Sequence, residues 1–251
     1  MYLNKFKASI YHLLISLLLV TLIIGCIIFL FFPQNYISIT DFKEVALIII
    51  TVDLILGPIL TFVVFQPQKK SLKFDLSVVA AIQLTALIYG AYALYQVHPV
   101  YITFNVDRFT IVNARDATPE RAIFDEYKVS KLSSANLAYA KIPEDPSKRS
   151  DLNLSAVLEG RDLDQHVEYY EPYKDNIDHI IAKGLNKKLI LNNVNTNKKI
   201  KNFVENNKEQ IDQLVFLPIN SSSKDGIIVL DKSSGIPIGT INTDPWLLSK
   251  N

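Results

Sequence analysis

Cysteine, methionine and tryptophan each occur once in the 251 residues. The single cysteine, Cys26, lies inside a hydrophobic run, so no disulfide forms within the chain and any soluble domain must hold by its own core. Neither sign of charge is in excess, with 26 Lys+Arg against 25 Asp+Glu. The formal net charge of +1 excludes a generally basic nucleic-acid binder. The sequence lacks GxSxG, a Walker A loop, GxGxxG and HExxH, so none of the common nucleophile, nucleotide or zinc-protease signatures is present. Asp162, Asp164, His166 and His179 match no metal-ligand spacing. Glu168, Tyr169, Tyr170 and Glu171 have the chemistry to line a cleft, but nothing in the sequence makes them converge. The chain is therefore expected to have no catalytic residues, no cofactor and no metal.

Long apolar runs are abundant. Ile10–Phe32 is interrupted only by His12, a second run covers residues 45–65, and a third runs from about Leu76 to Val97. Twenty-one helical residues cover about 31 Å, the thickness of a bilayer core. The first run is too long for a cleaved signal peptide, and no small-x-small site closes it. Ile23-Ile24-Gly25-Cys26 loosely resembles a lipoprotein cleavage site, but six strongly apolar residues come after it, where a polar start would be expected. The expected organisation is a three-helix transmembrane domain over 1–97, with spans about 10–32, 45–65 and 76–97, followed by a soluble domain over 98–251.

The loops orient the spans. Lys5 and Lys7 precede the first, and loop 66–75 carries Lys69, Lys70 and Lys73 against Asp75. Loop 33–44 has Asp41 and Glu44 against Lys43. The positive-inside rule places the N-terminus and loop 66–75 in the cytoplasm and puts loop 33–44 and everything after His98 outside. In a bacterial inner membrane, that outside is the periplasm. Tyr89, Tyr92 and Tyr95 fit an aromatic belt at the outer end.

One carboxylate, Asp53, interrupts the middle span. At that depth an ionisable group costs roughly 2.5–3.5 kcal/mol on insertion scales. Gly57 and Pro58 come next, weakening the helix at the same place. Asp53 lies about 18 Å above the inner end of its span, counting from Phe65. In the neighbouring span, Thr85 and Tyr89 lie about 14 and 20 Å above Leu76. A hydroxyl or phenol at matching depth is one candidate partner, which would make Asp53 an internal tie. The other reading has this polar notch meet a transmembrane helix of a second protein. Proton or ion transport has least support, because three helices rarely enclose a path and no second buried charge is present.

The soluble region carries 20 Lys+Arg and 21 Asp+Glu. Val100–Phe104 and Arg108–Val112 read as a hairpin around Asn105-Val106-Asp107. Thr118-Pro119-Glu120 starts a helix to Tyr127, and residues 141–153 read as a polar loop. Helices are expected from Pro172 to Lys183 and from Thr196 to Gln210. An acidic stretch over 159–178 and a basic one over 183–208 are either solvated faces or an electrostatic docking surface. Leu214–Leu217, Gly226–Leu230 and Ile236–Ile241 read as strands, the last two joined by Asp231–Gly235. The sum is an α+β domain with an antiparallel sheet of about five strands.

Several motifs are similar to the TfpX/TfpZ family of type IV pilin accessory proteins. They are Val52-Asp53-Leu54-Ile55-Leu56-Gly57-Pro58, Val64-Phe65-Gln66-Pro67, Gln83 with Leu87, Tyr89 and Gly90, Val106-Asp107-Arg108-Phe109, and Asp244-Pro245-Trp246. The likeness is dense over 44–112 and thin over 113–235. It implies a non-catalytic inner-membrane protein of type IV pilus biogenesis whose partners are the major pilin and inner-membrane assembly proteins. The mechanism comes from the residues rather than from the likeness: Asp53, Gly57, Pro58, Thr85 and Tyr89 are the candidates for a partner-binding or internal polar notch in the bilayer, and the protein is expected to be a pilin chaperone or assembly modulator. A structural component of the pilus machine presents the same surfaces. A periplasmic sensor would need a cytoplasmic output, and the two cytoplasmic segments are too short to supply one.

Overall fold

The computed structural model describes residues 2–133 and 135–246. They fall into two compact units. The first combines the chain up to Leu30 with Phe42–Val97, and the second joins Phe31–Asp41 to the chain from His98 onward.

Three helices, Tyr2–Phe31, Phe42–Val64 and Leu72–Gln96, are long and apolar enough to cross a membrane. Large apolar side chains point outward along all three, among them Leu18, Phe29, Ile48 and Ile88. Such a surface suits hydrocarbon rather than water. The second helix is not uniformly α-helical. Over Val52–Leu56 it widens into a π-helical segment, and the Gly57 N–H donates to the Val52 carbonyl five residues back. Pro58 explains this: its ring has no N–H and collides with the carbonyl four residues earlier.

In the second unit seven strands form one sheet: β1 (Pro99–Asn105), β2 (Arg108–Asn113), β3 (Asn136–Ala140), β4 (Tyr170–Pro172), β5 (Leu214–Asn220), β6 (Asp225–Asp231) and β7 (Pro237–Ile241). Their order is β4-β3-β1-β2-β5-β6-β7. The sheet is mixed, which corrects the antiparallel expectation: β1 pairs with β3 and β2 with β5 in parallel. The β1–β2 hairpin sits at the centre, and long connections carry the chain to each of its flanks. Parallel pairs need such crossovers, and local turn chemistry does not specify them.

The period-two pattern of β5 and β6 serves two cores. Val215, Leu217, Ile219, Ile228 and Leu230 face one side with Tyr36, Ile39, Tyr173 and Ile180. Leu214, Phe216, Ile227 and Val229 face the other with Ile190 and Ile200. Burial on both faces is why these strands read as continuous apolar runs. Tyr36 and Ile39 come from the segment between the first two helices, which is thus part of this unit's core.

Several elements differ from expectation. Pro119–Tyr127 is two single 3-10 turns, Pro119–Arg121 and Asp125–Tyr127. Tyr127 is held there by tertiary bonds, its hydroxyl donating to the Glu171 carbonyl at 2.9 Å and its own carbonyl accepting from Tyr101 at 2.6 Å. The 141–153 loop instead contains most of a helix, Pro146–Leu158, capped by Asp145, which accepts from the Ser147 N–H at 2.8 Å. The 172–183 helix shrinks to Ile177–Ala182, because Tyr170–Pro172 is taken by the sheet. The later helix runs Val194–Asn207 and ends with Lys208 left-handed, at φ 55.

The β1–β2 turn is strained. Val106 has φ 52, and the Asp107 N–H donates to the Asn105 carbonyl at 2.5 Å, a γ-turn around a β-branched residue. Val106→Gly is expected to raise stability by about 1 kcal/mol, read as a higher urea midpoint, because glycine removes the left-handed penalty. An unchanged or lower midpoint would show that the turn carries no such strain.

Candidate functional site

The second helix places Asp53, Gly57 and Thr61 at four-residue intervals, and all three are buried. At Gly57 the missing side chain is filled from outside. A Cβ there would lie 1.8 Å from Gln83 Nε2 and 3.1 Å from His12 Nε2. Glycine therefore lets the Gln83 carboxamide of the third helix and the His12 ring of the first reach the backbone of the second. Thr61 Oγ1 and His12 Nδ1 are hydrogen-bonded at 2.6 Å. Lys5 Nζ donates to the Val63 carbonyl at 3.4 Å, placing a cation on the C-terminal turn of the second helix.

Asp53 is 3% exposed and Gln83 8%. Asp53 Oδ2 and Gln83 Nε2 have no hydrogen-bond partner among the described residues. Both residues line a cavity of about 480 Å³ whose walls include His12, Ser16, Leu19 and Leu84.

The expected notch is thus built from other residues than the depth count suggested. Thr85 Oγ1 donates to the Ala81 carbonyl of its own helix at 2.9 Å, and Tyr89 is 71% exposed. Neither lines the cavity. Gly57 admits Gln83, and Pro58 acts on the backbone through the π-helical segment. His12, Thr61 and Gln83 are the residues that sequence reasoning missed.

In the second unit, Glu168, Tyr169, Tyr170 and Glu171 do converge. With Ile123, Phe124 and Ile142 they line a cleft of about 510 Å³ beside the short edge strand β4. Tyr170 itself is a core residue, 1% exposed. Its ring packs edge-on against Tyr101 and Tyr127, and its hydroxyl accepts from Thr103 at 2.9 Å. Lys141 reaches Glu171 at 3.1 Å, and this carboxylate raises the lysine pKa.

The residues considered as a metal set go separate ways. Asp162 caps the Leu163 N–H, Asp164 accepts from Asn105 at 3.2 Å, and the His179 ring meets Tyr139 edge-on. Among the described residues no group of His, Cys, Asp and Glu is placed to hold a metal. Burial pushes the Asp164 carboxyl up to about 6. His166 lies between Ser155 and Glu168, 3.2 Å from each. Ser155 sits inside the Pro146–Leu158 helix and also bonds Glu159, so the chain of bonds ties that helix to the 163–169 segment. On the basic stretch, Lys198, Lys199 and Lys201 are exposed.

Arg108, beside the hairpin turn, lies over the Trp246 ring at 4.7 Å, and Trp246 Nε1 donates to Asp225 at 3.1 Å. Two stretches far apart in sequence are thereby joined at one end of the sheet.

The chain is similar to fimbrial assembly proteins of Dichelobacter nodosus. It is 27% identical to the serogroup I protein over 237 residues and 26% identical to the serogroup E1 protein, in each case over 92% of both chains. It is 37% identical to the serogroups C1 and C2 protein over 112 residues, covering 44% of this chain and 86% of the relative. No family model matches the chain, and no solved structure matches it.

Proposed function

Because the chain belongs to a family of fimbrial assembly proteins, we propose that it is a non-catalytic inner-membrane accessory protein of type IV pilus biogenesis, of the TfpX/TfpZ type. It acts as a pilin chaperone or assembly modulator, holding the transmembrane helix of pilin in its helical unit and the pilin head on its soluble unit. The N-terminus and the 65–71 turn are cytoplasmic, and the domain from His98 is periplasmic. Two features support this placement. Lysines crowd both proposed cytoplasmic segments. The Phe31–Asp41 segment shares a compact unit with the chain from His98, as it must if both lie on one side of the membrane.

The observation that carries the holding role is the burial of Asp53 Oδ2 and Gln83 Nε2, neither of which has a hydrogen-bond partner among the described residues. In a hydrocarbon setting each unsatisfied polar group costs free energy, and a second protein's helix can supply the missing partners. The β4 cleft, with exposed Ile123 and Ile142 beside Lys141 and Glu171, offers apolar and charged contacts for a folded head.

Photo-crosslinking in living cells tests the reading. One crosslinker replaces Leu84, which is 52% exposed and lines the cavity, and another replaces Ile142 in the cleft, which is 48% exposed. Pilin adducts are expected at both positions. Adducts only to proteins of the assembly platform would overturn the pilin-holding role and make the chain a structural component of the machine.

A further inference from the structure

The cavity in the helical unit is elongated. Its wall on the first helix runs from Ala8 to Val20 and on the third from Leu76 to Leu87. Twelve and eleven residues of helix are about 18 and 16 Å long, or three turns. Ala8, Ser16 and Ala80 keep parts of both walls low, which allows a backbone to come close. The remaining lining is mostly apolar, but it includes Asp53 and Gln83, whose Oδ2 acceptor and Nε2 donor are buried with no partner among the described residues.

From this geometry we infer that the cavity between the first and third helices seats one transmembrane helix of pilin, whose side chain at that depth both donates to Asp53 and accepts from Gln83. This rests on the pilin-holding reading. A hydroxyl, a carboxamide or a protonated carboxyl satisfies both atoms at once. A lysine would pair with Asp53 and leave the Gln83 N–H unmet, and an apolar side chain would leave both unmet. His12 is already engaged within the unit through its Nδ1, which Thr61 holds. Three turns of contact and two hydrogen bonds make a reversible seat, suited to a subunit that must later leave.

The test uses the full chain in cells that produce pilin. Photo-crosslinkers are placed at Leu19 and Leu84, in the cavity wall, and at Leu47 and Ile48, which are exposed and outside it. Pilin adducts are expected at Leu19 and Leu84 and not at Leu47 or Ile48. Gln83→Leu, which conserves volume, is expected to lower the Leu84 adduct by about threefold to tenfold at unchanged protein abundance. If its abundance falls, Asp53→Asn supplies the same comparison, because it keeps the shape and exchanges an acceptor for a donor. Pilin captured at Ile142 in the soluble unit, but at Leu47 and Ile48 as strongly as at Leu84, would overturn the seat and leave the pilin reading intact. So would a Leu84 position that captures only lipid or a second copy of this chain. An adduct yield unchanged by both substitutions would overturn the polar recognition. Absence of pilin adducts at every position, Ile142 included, would overturn the seat and the pilin-holding reading together.

Discussion

Ile39→Ala, a substitution in the short segment between the first two long apolar helices, is expected to destabilise the C-terminal domain by about 3 kcal/mol. Ile39 is fully buried in the core on one face of the sheet. Its side chain fills the space left by Gly226, where a Cβ would come within 2.8 Å of Ile39 Cδ1. The segment is also stitched down by polar bonds. Ser221 donates to the Ile39 carbonyl at 2.8 Å, Lys224 to the Thr40 carbonyl at 2.8 Å, and Ser222 to Asp41 at 2.6 Å. These bonds keep the neighbouring backbone from collapsing into the space the alanine leaves, so the cavity cost is retained. Pulse proteolysis of the detergent-solubilised full chain in urea reads the effect as a midpoint lowered by about 1–2 M. Ile48→Ala, at an exposed position on the second helix, is the control and should leave that midpoint in place. Equal midpoints for both variants would show that the segment only covers the domain and does not build it.

The second large effect depends on pH. Asp164 is 7% exposed, and burial raises its pKa from 3.8 to about 6. The folded protein keeps this proton up to about pH 6, whereas the unfolded chain releases it near its ordinary value. Between those values the folded state binds more protons, so stability falls as pH rises through the window from about 4 to about 6. Above it, the buried carboxylate costs about 3 kcal/mol relative to acid. Asp164→Asn keeps the shape and an acceptor for Asn105 but never ionises. It is expected to be about 3 kcal/mol more stable than the natural protein at pH 7.5, with the gain shrinking to a small fraction at pH 4. The same urea midpoints, taken at the two pH values, check it. A gain equal at both would mean that packing rather than charge sets the difference.

The polar site in the helical unit shows how close a depth count comes and where it fails. Counted from Leu76, the third span offers Thr85 and Tyr89 at the height of Asp53. The helix actually begins at Leu72. From there Gln83 is 11 residues in, about 16 Å, and Asp53 is likewise 11 residues from Val64. The residue was legible in the sequence, but the helix boundary was not, because Lys73 and Asp75 look like loop residues and yet occupy the first helical turn. Gly57 and Pro58 were legible as a weak point. Which helix would fill the weak point was not, since Gln83 and His12 approach from separate helices.

In the second unit, the hairpin of β1 and β2, the turn at Asp231–Gly235 and the strands of β5 to β7 are written locally. Alternating or continuous apolar residues and turn-forming residues settle them, because neighbours in sequence are neighbours in the sheet. Asp145-Pro146 before Ser147 was also a readable helix start, obscured only by the polar run Lys148-Arg149-Ser150-Asp151 in its first turns. The parallel pairings of β3 and β5 were not readable. They depend on connections of tens of residues and on which core each face finds.

The sequence alone therefore determined three apolar helices, a carboxylate within the second, a following region of mixed strands and helices whose sheet it wrongly read as antiparallel, and a family likeness carried by short motifs. Those come from composition and from contacts a few residues apart. The tertiary structure decided the mixed strand order, the recruitment of Phe31–Asp41 into the domain core, the stacking of Arg108 on Trp246, and the union of Asp53 with Gln83, His12 and Thr61 around one cavity. Each of these joins residues tens to hundreds of positions apart. Such contacts form only where packing of whole elements repays the entropy of closing the chain between them, and no local pattern records that balance.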